Sequence, residues 1–303
     1  MKKDILYSLG QAPNGELVHI ADAKQDISYV CPACHQAFVQ RRGSRKRPHF
    51  AHKILSPNCT PETALHYGFK TLLFEKIQSC LSDGKALPIK WDCPKCAGFH
   101  EGNLLKKSVS VALEHSLGER QPDIALFSEQ QQPVAAIEVV VTHAPDEEAI
   151  RYYDRRNIAV VVIKLNSDQD IQQLEADVLK PDSISVCPNP KCPMCESHMP
   201  KKRLLIIDGD CWNCRAPMKV AAIRGDMGYE PNLNSDDARL AAQHGVFMKE
   251  QYSKTVGDSY IANTCRRCGK FVGGHYLFID YVAVPEYPRQ ELDAGYYCPN
   301  CQV

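Results

Sequence analysis

The sequence has no apolar run long enough to cross a membrane. The longest uninterrupted runs, such as Ile158–Ile163, fall far short of the roughly 20 residues that a membrane-spanning helix requires. The first residues, Met1–Asp4, do not lead into the hydrophobic region of a signal peptide. We therefore expect a cytoplasmic protein with no membrane partner.

The sequence also lacks an excess of charge of either sign. Lys and Arg together number 36, as do Asp and Glu, so the net charge neither favours nor excludes a polyanionic partner. The stretch from Gln40 to Lys53 nevertheless contains several cations and no acidic residue. A solvated loop is one interpretation of this basic run, and a set of phosphate contacts is the other. The cations we assign to phosphate contacts are Arg41, Arg42, Arg45, Lys46 and Arg47.

Cysteine, in contrast, is abundant. Fifteen cysteines in 303 residues are hard to explain as disulfides in a reducing cytosol. Most of them form Cys-x-x-Cys pairs, in which two thiolates straddle a tight turn and can share one tetrahedral ion. Redox chemistry is the alternative for a single pair, but the repetition favours two or more structural Zn²⁺ ions. The pairs are Cys31/Cys34, Cys93/Cys96, Cys192/Cys195, Cys211/Cys214, Cys265/Cys268 and Cys298/Cys301.

The first pair, Cys31/Cys34, requires two further ligands. His49, His52 and Cys59 follow at suitable distances, and the two histidines would lie about one helical turn apart. We favour His52 and Cys59, with His49 as the competitor for the histidine position.

The other five pairs can combine in more than one way. In one combination the pairs at Cys211 and Cys265 form a ribbon, because each precedes a strand-like segment. The pairs at Cys93 and Cys192 would then bracket an α/β core, and the last pair would take Cys187 or a histidine. The alternative joins neighbours, with the Cys192 pair beside the Cys211 pair and the Cys265 pair beside the last.

The order of predicted elements indicates a mixed α/β fold in three parts. Between Ile5–Ser8 and Glu16–Ile20, the Asn14-Gly15 turn favours a β-hairpin. Beyond residue 187, four pieces read as strand-like: Arg203–Asp208, Met218–Ile223, Phe271–Leu277 and Tyr276–Val282. The three parts are a hairpin and zinc knuckle over 1–60, an α/β core over 61–186 with a zinc loop near 91–100, and a zinc-ribbon region over 187–303.

The predicted core combines a β-hairpin with a parallel βαβ unit. It begins with an apolar-striped helix that has Thr60 as its N-cap. A strand, a helix of about three turns and a buried strand then form the pattern of a parallel crossover. The predicted elements are a helix over Pro61–Leu81, strands over Ser108–Glu114, Asp123–Phe127 and Ala135–Thr142, a helix ending near Arg156, and a strand over Ile158–Leu165.

Three consecutive strands of this core each carry one carboxylate. By strand alternation, Glu114, Asp123 and Glu138 each share a face with an alanine two residues away and lie opposite the bulky apolar residues. We expect a cleft there. Neighbouring carboxylates repel and raise one another's pKa, so such a group usually binds a divalent cation, here Mg²⁺ or Mn²⁺. Ion pairs at the sheet edge are the alternative for Glu114 and Asp123.

The preceding helix can add to this site. Glu62, His66 and Lys70 fall at i, i+4 and i+8 and so share one helix face. Such a face is commonly solvated, but beside the carboxylates it would supply a ligand and a cation.

Two sets of motifs resemble known families. Over about residues 5–165 the sequence resembles the CoiA-like competence proteins, and Pro122-Asp123 with Ile137-Glu138-Val139-Val140 resembles the PD-(D/E)xK nuclease signature. The motifs that carry the first resemblance are Gly15-Glu16-Leu17-Val18, Cys31-Pro32-Ala33-Cys34, Arg47-Pro48-His49-Phe50-Ala51-His52, Cys59, and Glu62-Thr63-Ala64-Leu65-His66 with Lys70.

The resemblance implies a restriction-endonuclease-like fold and a metal-dependent nuclease that cuts DNA in recombination, uptake or defence. Asp123 and Glu138 would bind the catalytic Mg²⁺ or Mn²⁺, and Glu62 could join them. Val140 stands where the signature has Lys, so Lys70 or Lys164 would have to replace it, and His143 lies just beyond the strand.

A second function stays open. Without a replacement for the missing lysine, the chain would be a non-catalytic zinc-ribbon adaptor for nucleic acid or protein. Protein partners would then dock on the C-terminal ribbons.

Overall fold

The computed structural model describes residues 5–44, 46–54, 58–142, 144–225, 228–230 and 233–301. The chain forms two compact units, one of residues 1–93 and 99–186 and the other of residues 94–98 and 187–303. The first unit thus contains both the N-terminal 60 residues and the predicted core. Within the described residues, no helix is long and apolar enough to span a membrane.

The first unit is mixed α/β. Its strands and helices are β1 (Leu9–Gln11), β2 (Leu17–His19), β3 (Phe38–Arg41), β4 (His49–His52), α1 (Pro61–Ser82), β5 (Pro88–Cys93), β6 (Gly98–Asn103), β7 (Ser110–Leu113), β8 (Ile124–Phe127), β9 (Pro133–Val140), α2 (Glu147–Arg155), β10 (Ala159–Lys164) and β11 (Ser183–Ile184).

Helix α1 forms where its capping residues and apolar spacing predict it. The Thr60 side chain accepts a hydrogen bond from the Thr63 N–H, and Pro61 occupies the first turn, where its missing N–H costs no hydrogen bond. Gly84, with φ of +65°, follows the C-cap and ends the helix. The residues that bury one face at intervals of four are Leu65, Phe69, Leu73 and Ile77.

The central sheet has the order β11-β10-β9-β8-β7. Strands β9 and β10 are parallel and are joined through α2, whereas β7, β8 and β9 form an antiparallel meander. Asp146 caps α2 by accepting from the Ala149 N–H at 2.6 Å. The predicted βαβ unit and the strands before it are therefore present, with ends shifted by one to three residues.

The small-residue face of this sheet is filled, so the predicted cleft beside the alanines is wrong. Ala112, Ala125 and Ala136 lie in one register row. Tyr152 and Tyr153 of α2 pack against this row in one buried cluster. Alanines admit these large side chains, and the carboxylates gather instead at the ends of the strands.

The N-terminal region consists of two small hairpins. The first pairs β1 with β2; β1 lies nearer the turn than the predicted Ile5–Ser8, whereas β2 falls within the predicted Glu16–Ile20. The second pairs β3 with β4. Arg47, just before β4, donates two 2.6 Å hydrogen bonds to the buried carboxylate of Asp168. This bidentate pair ties the N-terminal region to the rest of the first unit.

The second unit contains a four-stranded antiparallel sheet of order β14-β13-β12-β17 and a hairpin of β15 and β16. Its elements are β12 (Lys201–Asp210), β13 (Pro217–Gly225), β14 (Gly228–Glu230), α3 (Ser235–Gln243), β15 (Met248–Ser253), β16 (Asp258–Asn263), α4 (Gly274–Leu277), a π-helical turn (Phe278–Val282) and β17 (Arg289–Tyr296).

The predicted strands over Phe271–Leu277 and Tyr276–Val282 are wrong, because most of this segment is helical. Leu277 and Tyr281 are buried four residues apart, which is helical spacing. The Tyr281 hydroxyl donates to the Asp210 carbonyl at 2.8 Å. The segment is therefore helical, because burying residues four apart stabilises it more than burying alternate residues in a strand would.

Candidate functional site

The structure gathers cysteines and histidines into groups that could hold metal ions. Within each group the ligand atoms lie within 4.8 Å of one another. Three of these groups have all four members within one compact unit: Cys31, Cys34, His52 and Cys59; Cys192, Cys195, Cys298 and Cys301; and Cys211, Cys214, Cys265 and Cys268.

The distances within these groups fit zinc. In a tetrahedral site with Zn–S bonds of about 2.3 Å, two sulfurs are about 3.8 Å apart. The Sγ–Sγ distances are 3.5 Å for Cys31–Cys59, 3.5 Å for Cys195–Cys298, 3.6 Å for Cys211–Cys268 and 3.7 Å for Cys214–Cys265. A disulfide would require about 2.0 Å. The groups are therefore spaced as ligands of a common ion and not as disulfides.

Four of the six Cys-x-x-Cys knuckles, those at Cys31, Cys192, Cys211 and Cys265, share one backbone conformation. In each, the N–H of the first cysteine donates to the carbonyl five residues later, as Cys211 does to Ala216. The residue after the second cysteine is left-handed, with φ of 57° at His35, 59° at Glu196, 57° at Arg215 and 73° at Gly269. This turn aims both thiolates at one point, which is what a Cys-x-x-Cys ligand pair needs.

The grouping of pairs follows neither predicted combination as a whole. The Cys211 pair joins the Cys265 pair, as in the first combination. The Cys192 pair joins the Cys298 pair, which neither combination contains. The last pair therefore needs neither Cys187 nor a histidine to complete its set.

The β5–β6 hairpin brings a histidine to the predicted zinc loop. Cys93 ends β5, Cys96 lies in the turn, and His100 lies in β6, with their ligand atoms in one group. Sequence reasoning missed His100. The signal was the spacing Cys-x-x-Cys-x-x-x-His across a hairpin.

His52 and not His49 reaches the first zinc group. The His52 Nε2 atom lies 3.2 Å from Cys34 Sγ, whereas the ring Nδ1 of His49 lies 2.9 Å from the Arg47 carbonyl. The predicted helical spacing of these histidines is wrong, because both lie in strand β4. Side chains three residues apart on a strand point to opposite faces, so one site can use only one of them.

A second site forms where α1 faces the ends of β8 and β9. His66 Nε2 lies 3.1 Å from Asp123 Oδ2, and the Val139 N–H donates to the same oxygen at 2.8 Å. The Lys70 amine lies 3.5 Å from Asp123 Oδ1 and donates to Glu114. The structure thus brings together His66, Lys70, Glu114 and Asp123.

Lys70 is the unusual member of this site. It is only 4% exposed, although lysines are rarely buried unless they are paired. Glu114, at φ of +45°, follows β7 and presents an exposed carboxylate to the amine. Burial and two carboxylates therefore hold this cation in one place.

Asp123 and Glu138 differ in their electrostatics. Burial raises the pKa of Asp123, but His66, the Val139 N–H and Lys70 outweigh it, so this pKa lies below its usual value. Burial, and then the charge of Asp123, raise the pKa of Glu138 from 4.5 to about 7. The Tyr153 hydroxyl lies 3.4 Å from Glu138 Oε1. Asp123 is therefore held as a carboxylate, whereas the Tyr153 hydroxyl, the Asp123 N–H and the charge of His66 do not outweigh the effect of burial on Glu138.

The other predicted site residues lie elsewhere. Glu62 lies in the first turn of α1, near Tyr7 and the first zinc group. The pKa of the Tyr7 phenol is raised mainly by burial, and the charge of Glu62 adds to this effect. Lys164 is exposed on β10. Val140 is buried, and His143 lies outside the described residues.

The basic run divides into structural and exposed cations. Arg42 donates to the carbonyls of Ile20 and Ala23 at 2.7 Å, and Arg47 binds Asp168. Arg41 and Lys46 are exposed and line a shallow depression together with Gly43, Ser44 and His49. Arg45 lies outside the described residues.

The zinc groups predict the metal content of the protein. We expect purified protein to carry at least three zinc ions per chain and to lose structure on chelation, because metal binding supplies folding free energy. Cys211→Ser should lower the zinc content by about one ion per chain in elemental analysis. Cys80→Ser, in α1 and outside the groups, is the matched control and should change nothing. A wild-type content below two ions per chain would contradict this assignment.

The raised pKa of Glu138 predicts a pH-dependent stability. Its pKa of about 7 in the folded protein exceeds its ordinary value of 4.5, so its favourable contribution is complete below pH 4.5 and is lost as the pH rises through 7. Relative to wild type, Glu138→Gln should therefore gain on the order of 2 kcal/mol in the free energy of unfolding between pH 5 and pH 8. Denaturant unfolding at both pH values measures this gain. Glu129→Gln, an exposed control, should show no such difference; an equal effect of Glu138→Gln at both pH values would refute the shift.

Comparison with known proteins identifies the N-terminal region. Residues 14–61 match the family described as competence protein CoiA, N-terminal domain. No curated protein and no solved structure shows significant similarity. The matched segment contains all four members of the first zinc group, Cys31, Cys34, His52 and Cys59. The resemblance to CoiA-like competence proteins is thereby confirmed, over the domain that the chain shares with that family.

Proposed function

We propose that the first unit is a Mg²⁺- or Mn²⁺-dependent nuclease that hydrolyses DNA, in a role related to competence, such as DNA uptake or recombination. The observation that carries this proposal is the buried Lys70 amine, which α1 places between Asp123 and Glu114. It supplies a cation at a site whose sequence signature has lost its usual lysine.

The order of elements supports a restriction-endonuclease-like core. Helix α1 is followed by the meander of β7, β8 and β9, and α2 then leads to β10, which is parallel to β9. Asp123 immediately precedes β8, and Glu138 lies within β9. These are the positions that the PD-(D/E)xK resemblance assigns to the two acidic residues.

The donor set fits a hard divalent cation. Asp123 and Glu138 would hold it, since carboxylate oxygens are the ligands that Mg²⁺ and Mn²⁺ prefer. When bound, such an ion activates water and offsets charge on phosphate oxygens. Burial and the charge of Asp123 raise the pKa of Glu138 to about 7, and a bound divalent cation would favour the ionised form of this carboxylate.

The residues of α1 prepare the site for an anionic substrate. His66 and the Val139 N–H both bind Asp123 Oδ2 and so fix the orientation of this carboxylate. The other oxygen of Asp123, Oδ1, lies 3.5 Å from the Lys70 amine. A buried ammonium group in a site of low dielectric stabilises developing phosphate charge more strongly than an exposed one.

Exposed cations outside the site would help to hold DNA. Arg41 and Lys46 line one depression and are free to contact phosphates, whereas Arg42 and Arg47 are engaged within the protein. Cytoplasmic location is part of this proposal, because the thiolates of the zinc groups need a reducing compartment.

The lysine substitution predicts a specific loss and rescue. Lys70→Met should lower the rate of Mn²⁺-dependent DNA cleavage by about 100-fold or more, since one charge-stabilising donor is worth roughly 2.7 to 4 kcal/mol. Lys70→Arg should retain part of the rate. Adding Val140→Lys to Lys70→Met should restore part of it, because this returns a lysine to the signature position. Cleavage of a labelled DNA substrate measures each variant.

The controls separate the two candidate functions. Lys164→Met should cut as well as wild type, and Asp123→Asn and Glu138→Gln should not cut while remaining folded. Full activity of Lys70→Met would exclude the relocated lysine. Absence of cleavage by wild type with any divalent cation, together with retained nucleic-acid or protein binding, would favour the zinc-ribbon adaptor.

The division of the basic run predicts two separable effects. Arg41→Gln with Lys46→Gln should weaken DNA binding and lower the salt slope by about two, at roughly 0.9 per phosphate contact, without changing stability. Arg47→Gln should instead lower the free energy of unfolding by about 2 kcal/mol or more, because it leaves the buried Asp168 unpaired. Binding at several salt concentrations and denaturant unfolding distinguish the effects. An unchanged slope would make the run a solvated loop.

A further inference from the structure

One zinc group of the second unit differs from the others in the charge around it. Over 211–219 and 264–272, the knuckles of Cys211/Cys214 and Cys265/Cys268 carry no acidic residue and four exposed cations besides Lys219, which pairs with Asp208 at 3.0 Å. By contrast, the Cys192/Cys195 knuckle has Lys191 and Glu196, which cancel. The four exposed cations are Arg215, Arg266, Arg267 and Lys270.

These cations surround a single point. The four thiolates lie within 4.8 Å of one another, and each cation is within two residues of one of them. Within the described part of the chain, no ion pair involves any of the four. Arg266 lies over the Phe247 ring, 4.7 Å from its centroid. Four cations that form no ion pair within the described residues therefore lie beside this zinc group, with Asp210, next to Cys211, as an exposed acidic neighbour.

The zinc group that carries these cations also contains an exposed aromatic side chain. Trp212, between Cys211 and Cys214, is 47% exposed. Its indole N–H donates to the Phe271 carbonyl at 3.1 Å, so the side chain reaches across to the other knuckle. This hydrogen bond fixes one edge of the indole, while half of the side chain remains open to solvent.

We propose that the surface of Trp212, Arg215, Arg266, Arg267 and Lys270 binds single-stranded nucleic acid. The cations would contact successive phosphates while an unpaired base stacks on Trp212. A duplex fits less well, because its bases already stack on one another and offer no free face to the indole. The choice of DNA as the strand rests on the proposed function, but the surface itself does not depend on the carboxylate site.

The chain supplies its own probe for this surface. It has two tryptophans; Trp91 is 8% exposed, so stacking should quench mainly Trp212. We expect oligo(dT), added to the zinc-loaded full chain without Mg²⁺ or Mn²⁺, to quench tryptophan fluorescence. Blunt duplex DNA at the same phosphate concentration should quench it much less.

The variants separate stacking from charge. Trp212→Ala should weaken oligo(dT) binding about tenfold, measured by anisotropy of a labelled strand, whereas Trp212→Phe should retain most of the affinity. The triple variant Arg215→Asn, Arg267→Gln, Lys270→Gln should lower the salt slope by about two, at roughly 0.7 per phosphate. Asn is chosen at position 215 because it tolerates the left-handed backbone found there.

Matched controls come from the other zinc group and from the first unit. Met194→Ala removes an exposed apolar side chain from the equivalent knuckle, and Lys106→Gln, Lys107→Gln, Lys180→Gln removes three exposed charges. Neither should change the Trp212 quenching, and all variants should keep the wild-type zinc content.

The proposal is overturned if oligo(dT) leaves the fluorescence unchanged, if Trp212→Ala binds like wild type, or if duplex DNA quenches equally. These outcomes are independent of cleavage. Loss of cleavage in Glu138→Gln with intact Trp212 quenching would bear on the nuclease site alone, and the reverse would bear on this surface alone.

Discussion

The small sheets depend on one constraint, which is that thiolates and imidazoles from separate segments lie close enough together to bind a common ion. Four pairs of strands in the described part of the chain, β1/β2, β3/β4, β5/β6 and β15/β16, form two-stranded sheets, which are marginally stable by themselves. Around the first zinc group, Cys31 and Cys59 belong to the same buried cluster as Phe38 and Phe50. These cysteines are core residues that could also ligate a metal ion, in which case metal binding and hydrophobic burial would stabilise one another.

The sequence predicts the elements that have a strong local signal. Helix α1 has a cap, a proline and a regular apolar stripe, and the strands of the meander alternate clearly. Prediction from the sequence fails for Tyr276–Val282, because this segment is compatible with both strand alternation and helical spacing. The burial of Tyr281, whose hydroxyl is hydrogen-bonded, favours the helix. Prediction also fails for the zinc pairing, because Cys195 and Cys298 are 103 residues apart and no local pattern relates them.

The carboxylate site shows why residue type alone does not determine electrostatics. Mutual repulsion, the expectation from three clustered carboxylates, holds for Glu138 but not for Asp123. The difference comes from α1, because its residues His66 and Lys70 contact Asp123, whereas the side chain nearest to Glu138 that can donate to it is the Tyr153 hydroxyl. The spacing of His66 and Lys70 predicts that they share one helix face. Only tertiary packing determines which carboxylate this face contacts.

The first zinc group and the carboxylate site are connected through one helix. Cys59 immediately precedes Thr60, the N-cap of α1, and its carbonyl accepts a 2.6 Å hydrogen bond from the Tyr7 hydroxyl. Ala64, in the first turns, is buried in the cluster that contains Cys31 and Cys59. A zinc ion at this group would thus fix the start of the helix, and Lys70 lies only ten residues, or about 15 Å along the axis, from Thr60. Because a helix is stiff over that distance, ligation of Cys59 would also restrict where the Lys70 amine meets Asp123. An ion at the first zinc group would therefore position α1 for the carboxylate site as well as stabilise the N-terminal hairpins.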